Sequence, residues 1–289
     1  MKINLTLFTL VSAFSLQPLA LPGATSTIDT ASKYAYAANL GWVDWRGDTS
    51  HGAVIGEYVC SGFIYSANAG WISLGNGSPT NSIRYRNLSA DDYGVNHDGL
   101  GNLSGYAWAA NIGWIAFETN GAPRVDLATG QLSGCVWSPN CGWMSLSNAT
   151  AYVKTISIAA GTDSDHDGLP DAWEEQNWGS LRPEPEVDSD GDGTTNYEEY
   201  LAGTNPRSAS DRLRITAITR DNPPSTYTTL TWPGKMTRFY AAQQQSTVDG
   251  SNTWVEFYTG TYPGQSWLGF NLDTNRQFFR IRAFRPLMP

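Results

Sequence analysis

The sequence predicts a mainly β protein in three parts: a repeat-built all-β domain, a short paired loop-helix segment and a small β-sandwich. Three observations carry this reading. An aromatic motif recurs four times, acidic residues crowd one short segment, and alternating apolar runs with Pro/Gly turns return after it. At 289 residues the chain has room for more than one packed unit, since domains run to about 100–200 residues. The divisions fall at 1–24, 25–160, 161–208 and 209–289.

The first division, from Met1-Lys-Ile-Asn-Leu through an apolar run to Leu16, reads as a secretory signal peptide, with cleavage expected near Ala24. No later segment holds about 18 consecutive apolar residues. The mature chain is therefore expected to be exported and soluble, secreted or held at the cell surface.

In the second division four segments align: Tyr34–Trp45, Phe63–Leu74, Tyr106–Phe117 and Cys135–Leu146. Each contains Asn-x-Gly-Trp, at Asn39, Asn68, Asn111 and Asn140, spaced by 29, 43 and 29 residues. An Asn side chain can bond its own backbone two residues on, and a following Gly supplies positive φ, so each Asn-x-Gly is expected to reverse the chain between two short strands. The Trp that every unit keeps (Trp42, Trp71, Trp114, Trp143) is expected in the core. The aromatics that vary, Trp45, Tyr65, Trp108, Trp137 and Phe117, are the candidates for exposed contact with a ligand. Cys135 and Cys141 replace apolar residues in one unit only and flank its reversal, which predicts a disulfide in an exported chain; Cys60 reads as a small core residue. The expected architecture is a sandwich or short solenoid of two related halves, whose sheet edges could support self-association.

Net charge is −9, but residues 163–199 hold thirteen acids and one base. Such density argues against nucleic acid or an anionic membrane as partner. Its spacing is informative. Asp163, Asp165, Asp167, Asp171 and Glu174 stand at positions 1, 3, 5, 9 and 12 of a twelve-residue loop with Gly168 at position 6; Asp188, Asp190, Asp192, Asn196 and Glu199 repeat this 25 residues later. Hard carboxylate oxygens at those positions, with the backbone carbonyls of Leu169 and Thr194 at position 7, match a calcium loop. Two Ca2+ ions are expected. Short helices should follow each loop, from Ala172 to Trp178 and from Tyr197 to Leu201. Ile156–Thr162 and the proline-rich Arg182–Val187 leave no helix entering either loop, so calcium is expected to act structurally rather than as a switch. His166, at position 4, is given no metal role.

The loop Asp163–Glu174, the second loop running into Asn-Tyr-Glu-Glu-Tyr-Leu-Ala-Gly-Thr-Asn-Pro206, and the β-rich segment after it resemble the carboxy-terminal calcium-binding region of many exported bacterial proteins. That region is similar to thrombospondin type 3 repeats and, more distantly, to dockerin loop-helix pairs. The Asn-x-Gly-Trp units likewise resemble tandem aromatic repeats of exported bacterial proteins.

From Arg212 six short strands are predicted: Leu213–Ile218, Thr226–Trp232, Arg238–Gln243, Thr253–Tyr258, Ser266–Asn271 and Gln277–Ala283. They fit a small β-sandwich of the fibronectin-like kind. Arg280, Arg282 and Arg285 read as its solvated face. The chain has three histidines and lacks an HExxH, a nucleophile elbow and a phosphate-cradling loop. No catalytic residues are expected. The function expected is a secreted or cell-surface calcium-binding protein with a structural, adhesive or assembly role, calcium rigidifying the junction between two β domains; its partners are extracellular polysaccharide, other surface proteins or further copies of itself, with no nucleic acid and no insertion into membrane. The alternative is a carbohydrate-binding module that uses the exposed aromatics of the repeat domain.

Overall fold

The computed structural model describes residues 26–47, 50–221, 227–245, 254–260, 263–271 and 278–287. The expected leader lies outside them. The repeat domain consists of β1 (Ile28–Ala37), β2 (Gly41–Asp44), β3 (Val54–Ile55), β4 (Cys60–Ser61), β5 (Phe63–Ser66), β6 (Gly70–Ser73), β7 (Val95–His97), β8 (Leu103–Ala109), β9 (Gly113–Phe117), β10 (Arg124–Val125), β11 (Leu132–Ser133), β12 (Cys135–Ser138), β13 (Gly142–Ser145) and β14 (Val153–Thr155). Two helices follow, α1 (Asp171–Trp178) and α2 (Asn196–Ala202). The last segment holds β15 (Ala217–Arg220), β16 (Tyr227–Thr231), β17 (Phe239–Gln245), β18 (Val255–Thr259), β19 (Trp267–Asn271) and β20 (Phe278–Phe284).

Each aromatic repeat is one hairpin: β1–β2, β5–β6, β8–β9 and β12–β13. The hairpins pair edge to edge, and β13 returns to β1 through Tyr36↔Ser145 and Ala37↔Met144. The eight strands thus close into a barrel, neither the sandwich nor the solenoid expected. Closure pairs both edges of the eight-stranded ring, while β7 and β14 attach outside it, on β8 and β1.

A ring of eight strands encloses space only for side chains of modest size. The chain supplies them on alternate positions: Ala35, Ala37, Val43, Ile64, Ser66, Ile72, Ala107, Ala109, Ile115, Val136, Ser138 and Met144 are all buried. Period-two alternation then sends the neighbouring aromatics outward. Trp42, Trp71, Trp114 and Trp143 are 48, 47, 39 and 49% exposed, so the invariant tryptophan is not a core residue. It stands directly across its hairpin from Tyr36, Tyr65, Trp108 or Trp137. The rings touch at 5.0 Å in the first two units and 4.6 Å in the third, and such cross-strand pairs stabilise short strands from the outside.

The turns explain the asparagine. Rather than bonding its own backbone, each Asn side-chain amide reaches the hairpin beside it: Asn68 Nδ2 donates to Leu40 O at 3.1 Å, Asn111 to Ala69 O at 3.0 Å, Asn140 to Ile112 O at 2.9 Å, and Asn39 to Cys141 O at 3.3 Å. The four bonds form a circle around the turn end of the barrel. The glycine of each Ser-Gly step is equally constrained. Gly62, Gly105 and Gly134 have φ of 82, 98 and 84°, and a Cβ on any of them would collide with the carbonyl oxygen of Gly52, Gly94 or Ala122.

All three cysteines are free thiols, which corrects the expected disulfide. Cys135 opens β12 on its outward face, whereas Cys141 lies buried in the turn at the strand's other end. Three strand steps, about 10 Å, separate the ends of β12, beyond the reach of an S–S bridge. Burial pushes the Cys60 thiol up to about 12, as suits an inert core residue.

The carboxy-terminal strands form two three-stranded sheets, β15-β16-β19 and β18-β17-β20. Leu230, Trp232 and Leu268 from one sheet and Tyr240, Ala242 and Ala283 from the other share one core, as a sandwich requires. Arg285 departs from the expected solvated face. It is buried, with Nε 2.9 Å from Glu57 of the repeat domain.

Candidate calcium centres

In each loop the leading aspartate organises the backbone. Asp163 accepts from the N–H groups of Asp167 (3.2 Å) and Gly168 (3.0 Å); Asp188 accepts from Gly191 (2.8 Å), Asp192 (3.2 Å) and Gly193 (2.8 Å). Positions 4 and 6 require a left-handed backbone, met by His166 (φ 63°) and Gly168 (98°) in one loop and by Gly191 (77°) and Gly193 (94°) in the other. His166 is exposed. The turns bring Asp163, Asp165 and Asp167 together, with one carboxylate oxygen of each within 4.8 Å of the others, and do the same for Asp188, Asp190 and Asp192.

The two glutamates lie close enough to the loop aspartates to feel their charge. α1 starts at position 9 of its loop and α2 likewise, so position 12 falls one turn into each helix and Glu174 and Glu199 are both fully buried. Thr195 and Glu198 form a capping box that sets the start of α2. Both Glu174 oxygens, Asp190 Oδ2, Asp192 Oδ2, Asn196 Oδ1 and Glu199 Oε2 are buried without a hydrogen-bond donor. Orphaned buried oxygens are costly. Burial first, and then the loop aspartates, raise the Glu174 carboxyl to about 8 and the Glu199 carboxyl to about 7, the latter opposed by the Thr204 hydroxyl. Carboxylate and carboxamide oxygens left without donors beside a cluster of three aspartates are what a divalent cation with oxygen preference requires, and these residues fit Ca2+. Leu169 and Thr194 occupy position 7. Asp171 is engaged differently: its carboxylate accepts from Ser164 N (2.8 Å) and Ser164 Oγ (2.6 Å), so it braces loop 1 at position 9, where contact through water is common.

The loops are wedged between the two β units. Leu169 and Trp173 pack with Tyr58 and Tyr200. The Tyr200 hydroxyl donates to Glu57 Oε2 at 3.1 Å; Arg238 pairs with Glu57 Oε1 at 3.1 Å and donates to the carbonyls of Leu201 (2.8 Å) and Tyr200 (2.7 Å) at the end of α2. Arg285 makes an ionic contact with Glu57 off the hydrogen-bonding direction. Glu57, Arg238 and Arg285, from distant parts of the sequence, had no motif to reveal them.

Of the aromatics expected to meet a ligand, Tyr65, Trp108 and Trp137 are exposed, whereas Trp45 (1% exposed) and Phe117 (3%) are buried against each other. The exposed ones lie on separate hairpins and form a belt rather than one flat strip. The belt also takes in Tyr36, Trp42, Trp71, Trp114 and Trp143. Alternation with Ala and Ser put the aromatics on one face of each strand without saying which face points outward.

A protein of several β units carrying paired calcium-type loops is the class that fold and site define. Within it, residues 188–209 match the family model of the bacterial TSP3 repeat, a calcium-binding motif. No curated protein and no solved structure matches the chain. Among the described residues no helix is long and apolar enough to cross a membrane.

Proposed function

We propose that this is a secreted or cell-surface, non-catalytic protein in which two Ca2+ ions rigidify the junction between barrel and sandwich, in a structural, adhesive or assembly role. The observation that carries the reading is the set of donorless buried oxygens in loops that adjoin the Glu57–Arg238–Arg285 junction. Each ion would offset the repulsion within its own loop and hold α1 or α2 at the angle from which Trp173 and Tyr200 reach the barrel. Calorimetric titration with Ca2+ should give two sites per chain, and melting in chelator should occur well below melting in calcium. Failure to bind, or equal melting temperatures, would remove the proposal.

A second reading, binding of extracellular carbohydrate, is favoured by the eight half-exposed aromatics of the belt, a surface larger than isolated apolar residues require. A glycan array decides it, silence across polysaccharides counting against it.

A further inference from the structure

The belt is not uniform. The third unit follows the second by 43 residues instead of 29, and the additional chain folds against its aromatic pair. In the fourth unit the residue lying against the indole of Trp143 is Gly121. The third unit has Tyr93 against Trp114, with ring centroids 5.1 Å apart and planes at 80°. Tyr106 stands 6.1 Å from the same indole at 71°, and Trp108 supports it at 4.6 Å. Between this aromatic floor and the loop lies an open cavity of about 480 Å3, to which Asn87, Leu88, Ser89 and Ala90 contribute the other wall. Its volume is that of a small-molecule site.

The wall is braced. Asn87, left-handed at φ 57°, accepts from Gly94 N at 3.0 Å and donates to Tyr85 O at 3.3 Å. The buried Asp92 carboxylate accepts from Thr80 Oγ1 at 3.0 Å and Arg86 N at 3.2 Å, closing the loop on itself. At the mouth Leu88 is 86% exposed, an apolar side chain with nothing to bury it. The lining carries no charged side chain. Its lining includes the half-exposed Trp114 indole and three hydroxyl-bearing side chains, Ser89, Tyr93 and Tyr106.

We propose that this cavity binds one or two residues of a neutral oligosaccharide. A pyranose has an apolar C–H face that packs on an indole, and an equatorial rim of hydroxyls that need donors and acceptors together, which hydroxyl side chains supply. A charged sugar or phosphate would find no counter-charge. A proline-rich peptide is the competing ligand for an aromatic surface, and the decaproline arm of the titration tests it. The inference narrows the carbohydrate reading of the belt to one place, so its test separates the two.

The full-length chain in saturating calcium is titrated calorimetrically with cello-, xylo-, manno-, laminari- and chitohexaose, and with a decaproline peptide. At least one sugar should bind with a dissociation constant on the order of 0.1 mM. Trp114→Ala should weaken it about ten-fold or more, Tyr93→Phe several-fold, and Leu88→Asp, at a position too exposed to disturb folding, about ten-fold. Trp42→Ala reports what the rest of the belt contributes and should cost less than Trp114→Ala. Equal losses for Trp42→Ala and Trp114→Ala, with none for Leu88→Asp or Tyr93→Phe, would leave the belt reading standing and overturn the cavity. Binding of the peptide but no sugar, or of nothing, would overturn both.

Discussion

Asn111 illustrates what a repeated residue does here. Its amide adds a side-chain bond to the backbone pairing between the third hairpin and the second, and the other three asparagines do the same around the circle. Asn111→Ala leaves the Ala69 carbonyl without that donor and should lower stability by about 1 kcal/mol, read as a fall in melting temperature. His97 provides a second test. Buried on β7, it contacts Gly56 O through Nδ1 at 2.8 Å and accepts from Gly101 N through Nε2 at 3.1 Å, so the neutral ring fits. Burial, opposed by the Gly56 carbonyl, holds its pKa below the ordinary value of 6.5. The unfolded chain then takes up a proton that the folded chain refuses. Stability is full above that value and falls as pH drops through it, so wild type should lose more melting temperature than His97→Gln between pH 7.5 and 5.5 in saturating calcium.

Among elements, the loop-helix pairs were the most legible. Twelve-residue spacing fixes ligand geometry locally, and the helices observed, Asp171–Trp178 and Asn196–Ala202, begin one residue before those expected. Glu199→Gln keeps the size of the side chain and removes one anionic oxygen from the second loop. Calorimetry should then report one calcium site instead of two. The sandwich strands were legible for a similar reason: Pro/Gly turns bound each alternating run, and only β15 begins substantially later than its sequence pattern, at Ala217 instead of Leu213. The hairpins were legible as hairpins, but not the direction of their faces. Nothing within one Tyr-Ala-Tyr-Ala run says whether the aromatic or the alanine side is inward. That depends on how wide a space the partners enclose.

For the molecule as a whole, Glu57 links all three parts. It receives Tyr200 from α2 and lies against Arg238 and Arg285 of the sandwich, and all three partners are buried. Removing it strands two buried guanidinium groups. Glu57→Ala should therefore cost about 3–5 kcal/mol and separate the melting of barrel and sandwich into two transitions in scanning calorimetry. A single transition at the wild-type temperature would show that the junction carries no coupling.

By itself the sequence determined the mainly β class, the positions of the reversals and the calcium loops, because these depend on residues within about a dozen positions of each other. Tertiary structure alone decided that four hairpins close into a ring, that its narrow interior takes alanine, serine and aliphatic side chains and turns the tryptophans outward, and that Arg285 leaves solvent for Glu57. Each of those outcomes depends on space and charge supplied by segments far away in the chain.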